Sequence, residues 1–106
     1  MIDMESLKVR CGRDEALLRE LLEDFISRCE NEVARLREAG DDLHRRAHKV
    51  KGLALNLSMP ELRQKAAQVE RSAGEGDTDP EEVDQLLQAL TAACREAREI
   101  LEGSGE

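Results

Sequence analysis

The chain has 106 residues and a mass of 11.9 kDa, which leaves room for one domain with a single modest core. Apolar residues make up 40% and charged residues 38%, and Phe25 is the sole aromatic. That composition argues against a β-sandwich or barrel, while the abundance of Ala, Leu, Glu, Arg and Gln favours helices. Sixteen Lys and Arg stand against 24 Asp and Glu, a net charge of −8, which leaves no basic face for a nucleic acid. No apolar run approaches the roughly 20 residues of a membrane span, and Met1–Glu5 lacks the profile of a signal peptide. Cys11, Cys29 and Cys94 are odd in number and show no CxxC spacing, so neither a disulfide framework nor a zinc knuckle is suggested. The expected setting is the reducing cytoplasm.

In chain order, Asp3 is placed to cap a short helix over Met4–Val9, closed by Cys11-Gly12. From Asp14 to Ala39 the apolar residues Leu18, Leu22, Phe25, Cys29 and Leu36 recur on one face, flanked by Leu21, Ile26 and Val33. This predicts one helix of about 26 residues, roughly 39 Å long. Gly40 stops it, and Asp41 or Asp42 is expected to cap the next helix. That helix carries Leu43, Ala47, Val50, Ala54 and Leu57 at steps of four and three. Ser58 and Glu61 have capping-box spacing and Pro60 suits a first turn, so Ser58 is expected to start the following helix, whose stripe is Leu62, Ala66, Val69 and Ala73. Gly74-Glu75-Gly76 breaks it. Asp79-Pro80 opens the last helix, with the stripe Val83, Leu87, Leu90, Cys94, Ala97 and Leu101. Short loops between amphipathic helices predict an all-α, antiparallel up-and-down four-helix bundle with a short N-terminal cap helix. The domain is read as residues 1–102 and the tail 103–106 as flexible. Each apolar face can be satisfied within one bundle, so a monomer is expected.

The third long segment holds the informative residues. At about 100° per residue its core direction lies near Leu43, Val50 and Ala54, and His48 points about 140° away, toward solvent. His44 and Gly52 flank it one turn before and after, with Lys51 and Leu55 alongside. Glycine inside a helix costs about 0.5–1 kcal/mol relative to alanine, so Gly52 needs a reason, and clearance beside the imidazole supplies one. Leu55 on an outward face is apolar area waiting for a partner, or else a flank of the core. An imidazole has an unperturbed pKa near 6.5 and is substantially neutral and nucleophilic at neutral pH. It can accept a phosphoryl group, and Lys51 can offset charge on the phosphoryl oxygens. No Walker-A loop or other phosphate-cradling glycine turn is present, so the chain has no visible means of taking phosphate from ATP.

Ala47-His48-Lys49-Val50-Lys51-Gly52 resembles the A-H-x-[LIV]-K-G signature of histidine-containing phosphotransfer (HPt) domains. Leu21–Phe25 is similar to the family's Leu-Phe segment on the long helix, Glu38–Asp41 to its approach to the histidine helix, and Glu61–Glu70 to the segment that follows. The resemblance covers nearly the whole chain. It implies a phosphorelay intermediate, a phosphocarrier without kinase activity, in which His48 takes a phosphoryl group from a receiver-domain aspartate and passes it to another. It implies Lys51 as charge partner and Gly52 as the access residue, and response-regulator receivers or a hybrid sensor kinase as partners. His44 and Leu55 are candidate docking contacts for such a partner. The Mg²⁺ of the reaction is expected on the receiver, with no metal or cofactor on this chain. Ten residues after the histidine the family usually has Gly and this chain has Ser58, where a changed loop and no loss of transfer are expected.

Other readings stay open at this stage. A bundle of this shape can also serve as an adaptor that docks receivers or another signalling partner without accepting phosphate. His44 and His48 have the i, i+4 spacing of zinc ligands, but no HExxH glutamate or third ligand accompanies them. Cys29 and Cys94 fall within apolar stripes and read as core filler.

Overall fold

In the computed structural model, which describes residues 2–104, five helices and no strand account for the regular structure: α1 (Met4–Arg10), α2 (Glu15–Glu38), α3 (Leu43–Asn56), α4 (Pro60–Gly74) and α5 (Pro80–Ser104). The long helices α2 and α5 lie antiparallel: Arg19 Nη1 reaches Leu101 O at one end, and Cys29 Sγ contacts Leu90 O nearer the other. Helices α3 and α4 pair against each other, α3 also packs on α2 and α4 on α5, so the chain visits the four positions of the bundle in order. The result is a rod of 45 × 22 × 17 Å.

With 14 and 15 residues, α3 and α4 are each about 21–23 Å long and leave one end of the α2–α5 pair uncovered. Helix α1 fills that end. Ile2, Leu7 and Cys11 are buried there, Asp3 N–H donates to Ser58 O (2.8 Å), Ile2 N–H donates to Glu96 Oε1 (3.0 Å), and Arg10 Nη1 donates to Leu55 O (2.5 Å). Asp3 caps α1 through the Ser6 amide and Asp14 caps α2 through the Ala16 and Leu17 amides, as their positions in the sequence predict.

Three helices stop in the same way. A left-handed residue follows the cap at Gly12 (φ 63°), Ser58 (φ 54°) and Gly76 (φ 73°), and the next amide turns back to a carbonyl five residues earlier: Arg13 to Lys8, Met59 to Ala54, Asp77 to Ser72. Ser58 therefore closes α3 and does not cap α4. Its conformation, the one glycine adopts at least cost, explains why a glycine suits this position. Met59 occupies the N-cap of α4 without a side-chain bond, and Pro60 takes the first helical position. Asp42 sits at the N-cap of α3, but its carboxylate turns to Arg46 Nε (3.0 Å) and leaves the helix amides alone.

The core is assembled from the predicted stripes with local corrections. Leu22, Phe25, Cys29, Leu36, Ala47, Val50, Ala54, Leu57, Leu62, Ala66, Val69, Leu90, Cys94 and Ala97 are buried, whereas Leu18, Leu43 and Ala73 are half-buried. On α5 the buried line runs through Leu86, Leu90, Ala93 and Ala97, and Val83, Leu87 and Leu101 lie on its flank. One polar pair crosses this interior. Glu32, three residues after Cys29 and four before Leu36, occupies an apolar-face position on α2 and meets Arg46 of α3 at 3.3 Å, both side chains almost fully covered. Helix α5 includes Gly103 and Ser104, where a frayed tail was expected; residues 105 and 106 lie outside those described.

Candidate functional site

Helix α3 holds its core face, Ala47, Val50 and Ala54, against the bundle, and this fixes the opposite face toward solvent. His48 lies there with 67% of its side chain exposed, as the helical spacing predicts. What the spacing on α3 does not show is the partner. Glu70, on the neighbouring helix α4, places one carboxylate oxygen on each of two α3 side chains: Oε2 on His48 Nδ1 and Oε1 on Lys51 Nζ, the latter at 2.5 Å. Its own side chain is only 15% exposed, so these bonds form at a partly dry seam between the helices.

The chemistry of this triad follows from its donors and acceptors. The Lys51 ammonium beside Glu70, with the His48 ring in support, holds the Glu70 carboxyl below the usual carboxylate range, against the opposing effect of burial. A carboxylate only accepts hydrogen bonds, so His48 carries its proton on Nδ1 and donates it to Oε2. The lone pair of the neutral ring then resides on Nε2, the far nitrogen. Imidazole, carboxylate and ammonium are thus brought together from α3 and α4.

His44, one turn before His48, also addresses Glu70, but through the main chain: its Nδ1 donates to Glu70 O at 3.1 Å. The His44 ring lies over Gly74, where a Cβ would stand 3.4 Å from Nδ1. His44 therefore packs α3 onto the last turns of α4 and remains exposed on its outer edge. Among the described residues, no group of three or more His, Cys, Asp or Glu side chains is gathered as a metal site would require.

Gly52 and Leu55 lie on the other flank of the exposed face. A Cβ at Gly52 would meet nothing within 4 Å, and Leu55 is 51% exposed. Together with Arg28, Asn31 and Lys49 they border a shallow concavity between α2 and α3. The site residues thus form two adjoining surfaces: the His48–Glu70–Lys51 triad toward α4, and the Gly52–Leu55 concavity toward α2. Glu70 was missed as a site residue by reasoning on α3 alone. A signal existed, since Glu70 stands four residues after Ala66 and three before Ala73, a charged residue at the edge of an apolar stripe.

Fold and site together describe a helical bundle that presents one braced imidazole to solvent. The family model described as the Hpt domain matches residues 20–99, and the chain belongs to that family. Hpt domains are phosphocarrier modules, distinct from kinases, that work with receiver domains and kinases in two-component phosphorelays, and membership assigns this chain a phosphotransfer role in such signalling. Neither curated proteins nor solved structures yielded a match. Among the described residues no helix is long and apolar enough to cross a membrane.

Proposed function

We propose that His48 is the phosphoacceptor, taking a phosphoryl group from an aspartyl phosphate of one receiver domain and delivering it to the aspartate of another. The observation that carries this reading is the pairing of His48 Nδ1 with Glu70 on a ring otherwise open to solvent. In the forward step the Nε2 lone pair attacks phosphorus in line with the aspartyl oxygen, the P–O bond breaks, and the receiver carboxylate leaves. Positive charge develops on the imidazole as the N–P bond forms, and the Glu70 carboxylate at Nδ1 stabilises it. The Mg²⁺ that neutralises the phosphoryl oxygens belongs to the receiver in this reading.

Lys51 has a more defined role than a free cation beside the histidine. Its ammonium is held on Glu70 Oε1 in the resting site, one-third exposed, and is positioned to exchange that contact for a phosphoryl oxygen. Gly52 and Leu55 provide an unobstructed, partly apolar approach for the receiver on the α2 side, and His44 borders its α4 side.

The test is incubation with a phosphorylated receiver. Wild-type protein is expected to acquire acid-labile phosphate, and His48→Gln to acquire none while retaining helix content and receiver binding. Label on His48→Gln at the wild-type level removes the assignment, and a wild type that binds receivers yet is never labelled establishes the adaptor reading in its place.

A further inference from the structure

Two buried cysteines that the phosphotransfer site does not use, Cys29 and Cys94, lie along the α2–α5 seam. Cys29 of α2 is fully buried, and its Sγ contacts the Leu90 carbonyl of α5 at 3.3 Å. Leu90 precedes Cys94 by one helical turn, so this is the carbonyl that the Cys94 amide addresses within α5. The Cys29 sulfur therefore lies against the turn of α5 that carries Cys94. Cys94 differs from its neighbour in access: it is 9% exposed and forms part of the wall of a surface concavity that also includes Arg37, Arg95 and Arg98. Three guanidiniums, with Glu30 paired to Arg98, give that opening a cationic rim.

We infer that Cys94 and Cys29 form an oxidation site in which hydrogen peroxide reacts at Cys94 and Cys29 resolves the product as a disulfide joining α2 to α5. The steps balance. The Cys94 thiolate attacks one peroxide oxygen, the O–O bond breaks, and water leaves with the thiol proton and the second oxygen, giving a sulfenic acid. The Cys29 sulfur then attacks the Cys94 sulfur, the S–O bond breaks, and a second water is released with the Cys29 proton. Two thiols lose two hydrogens and the peroxide is reduced to two waters.

The environment assigns the order. Burial and the neighbouring Cys94 push the Cys29 thiol up to about 12, so Cys29 keeps its proton while Cys94 is intact. Access sets the same order: Cys94 lines the concavity and meets the oxidant first, whereas Cys29 is fully enclosed. Cys11, the C-cap residue of α1, borders a different concavity with Leu18 and Ile100. The link lies across the α2–α5 seam, away from the α3–α4 triad, so oxidation is expected to tether the two long helices and leave phosphoryl acceptance by His48 intact.

The experiment treats the native full-length protein with stoichiometric hydrogen peroxide, then counts thiols after denaturation and maps the peptides. Free thiols are expected to fall from three to one, with a monomeric mass lower by two hydrogens and a single Cys29–Cys94 cross-linked peptide. The oxidised protein is expected to unfold at higher denaturant than the reduced one, and dithiothreitol to reverse the difference. Cys29→Ser is expected to stop at a sulfenic acid on Cys94 that dimedone traps, and Cys94→Ser to protect Cys29. Over-oxidation of Cys94 with Cys29 untouched in the wild type, intermolecular disulfides, a bond involving Cys11, or three thiols that survive in the native state would each overturn the inference. The wild-type peptide map decides the question even if a serine variant fails to fold.

Discussion

Replacing Glu70 by Gln removes the charge from the triad while keeping its size, and the structure sets the magnitude expected. Unit charges about 4 Å apart attract by about 4 kcal/mol at an effective dielectric of about 20. The His48 ring is two-thirds exposed, and only part of a full charge has developed in the transition state, so the realised share is about 1.4–2 kcal/mol. That corresponds to phosphoryl transfer slowed by about ten- to thirtyfold. The amide also offers a donor where the carboxylate offered only acceptors, so the proton of His48 is no longer held on Nδ1. Rapid-quench transfer from a phosphorylated receiver reads the rate, and nitrogen-15 shifts of the His48 ring read the tautomer. Helix content should be unchanged, because Glu70 lies at the edge of the apolar stripe of α4 and not in the core. A Glu70→Gln protein with the wild-type rate and the wild-type ring shifts would refute the claim that this carboxylate orients and charges the nucleophile.

Lys51→Met should move the carboxyl titration of Glu70 upward, toward its ordinary value of 4.5, because the ammonium is the main group holding it down; carbon-13 shifts against pH measure this. The sign for stability follows: a carboxyl depressed on folding contributes fully above pH 4.5 and loses that contribution as pH falls through its lowered folded value, so the acid side of the stability profile should flatten in the variant. Gly52→Ala should raise stability by about 0.5–1 kcal/mol, since the added Cβ meets nothing, while Gly52→Phe should slow receiver-dependent labelling with helix content intact. Thermal melts and labelling rates separate the two effects. Ser58→Gly should stabilise the protein by about 1 kcal/mol, because a left-handed residue would no longer carry a Cβ; a lower melting temperature would show that the Arg10–Ser58 contact matters more.

The stripes of α2, α3 and α4 were readable because a helix imposes its period on neighbours three and four residues apart, whatever the rest of the chain does. The same regularity placed His48, Lys51 and Gly52 outward and His44 one turn away. It misled on α5, where Val83, Leu87 and Leu101 share the apolar face with Leu86 and Ala93, and only the rotation of the helix about its axis decides which of them is central. At Ser58 the local pattern pointed to one role, the cap of α4. A capping-box spacing favoured the start of α4, but the backbone uses the residue in a left-handed turn to end α3, where the returning Met59 amide and the docked Asp3 amide satisfy the loop.

Composition and periodicity alone thus determined that this chain is helical, that it has one amphipathic cap and four bundle helices, and that one imidazole on α3 faces away from the core. Tertiary structure alone decided which groups that imidazole meets. Glu70 is 22 residues away along the chain, and its two oxygens reach His48 and Lys51 only because α3 and α4 pack antiparallel at a particular register. Glu32 and Arg46 meet across the interior for the same reason, as do the Cys29 sulfur and the Leu90 carbonyl. Local spacing states the face of a helix on which a side chain stands; the translation and rotation of the next helix, set by packing of the whole core, state what stands opposite it.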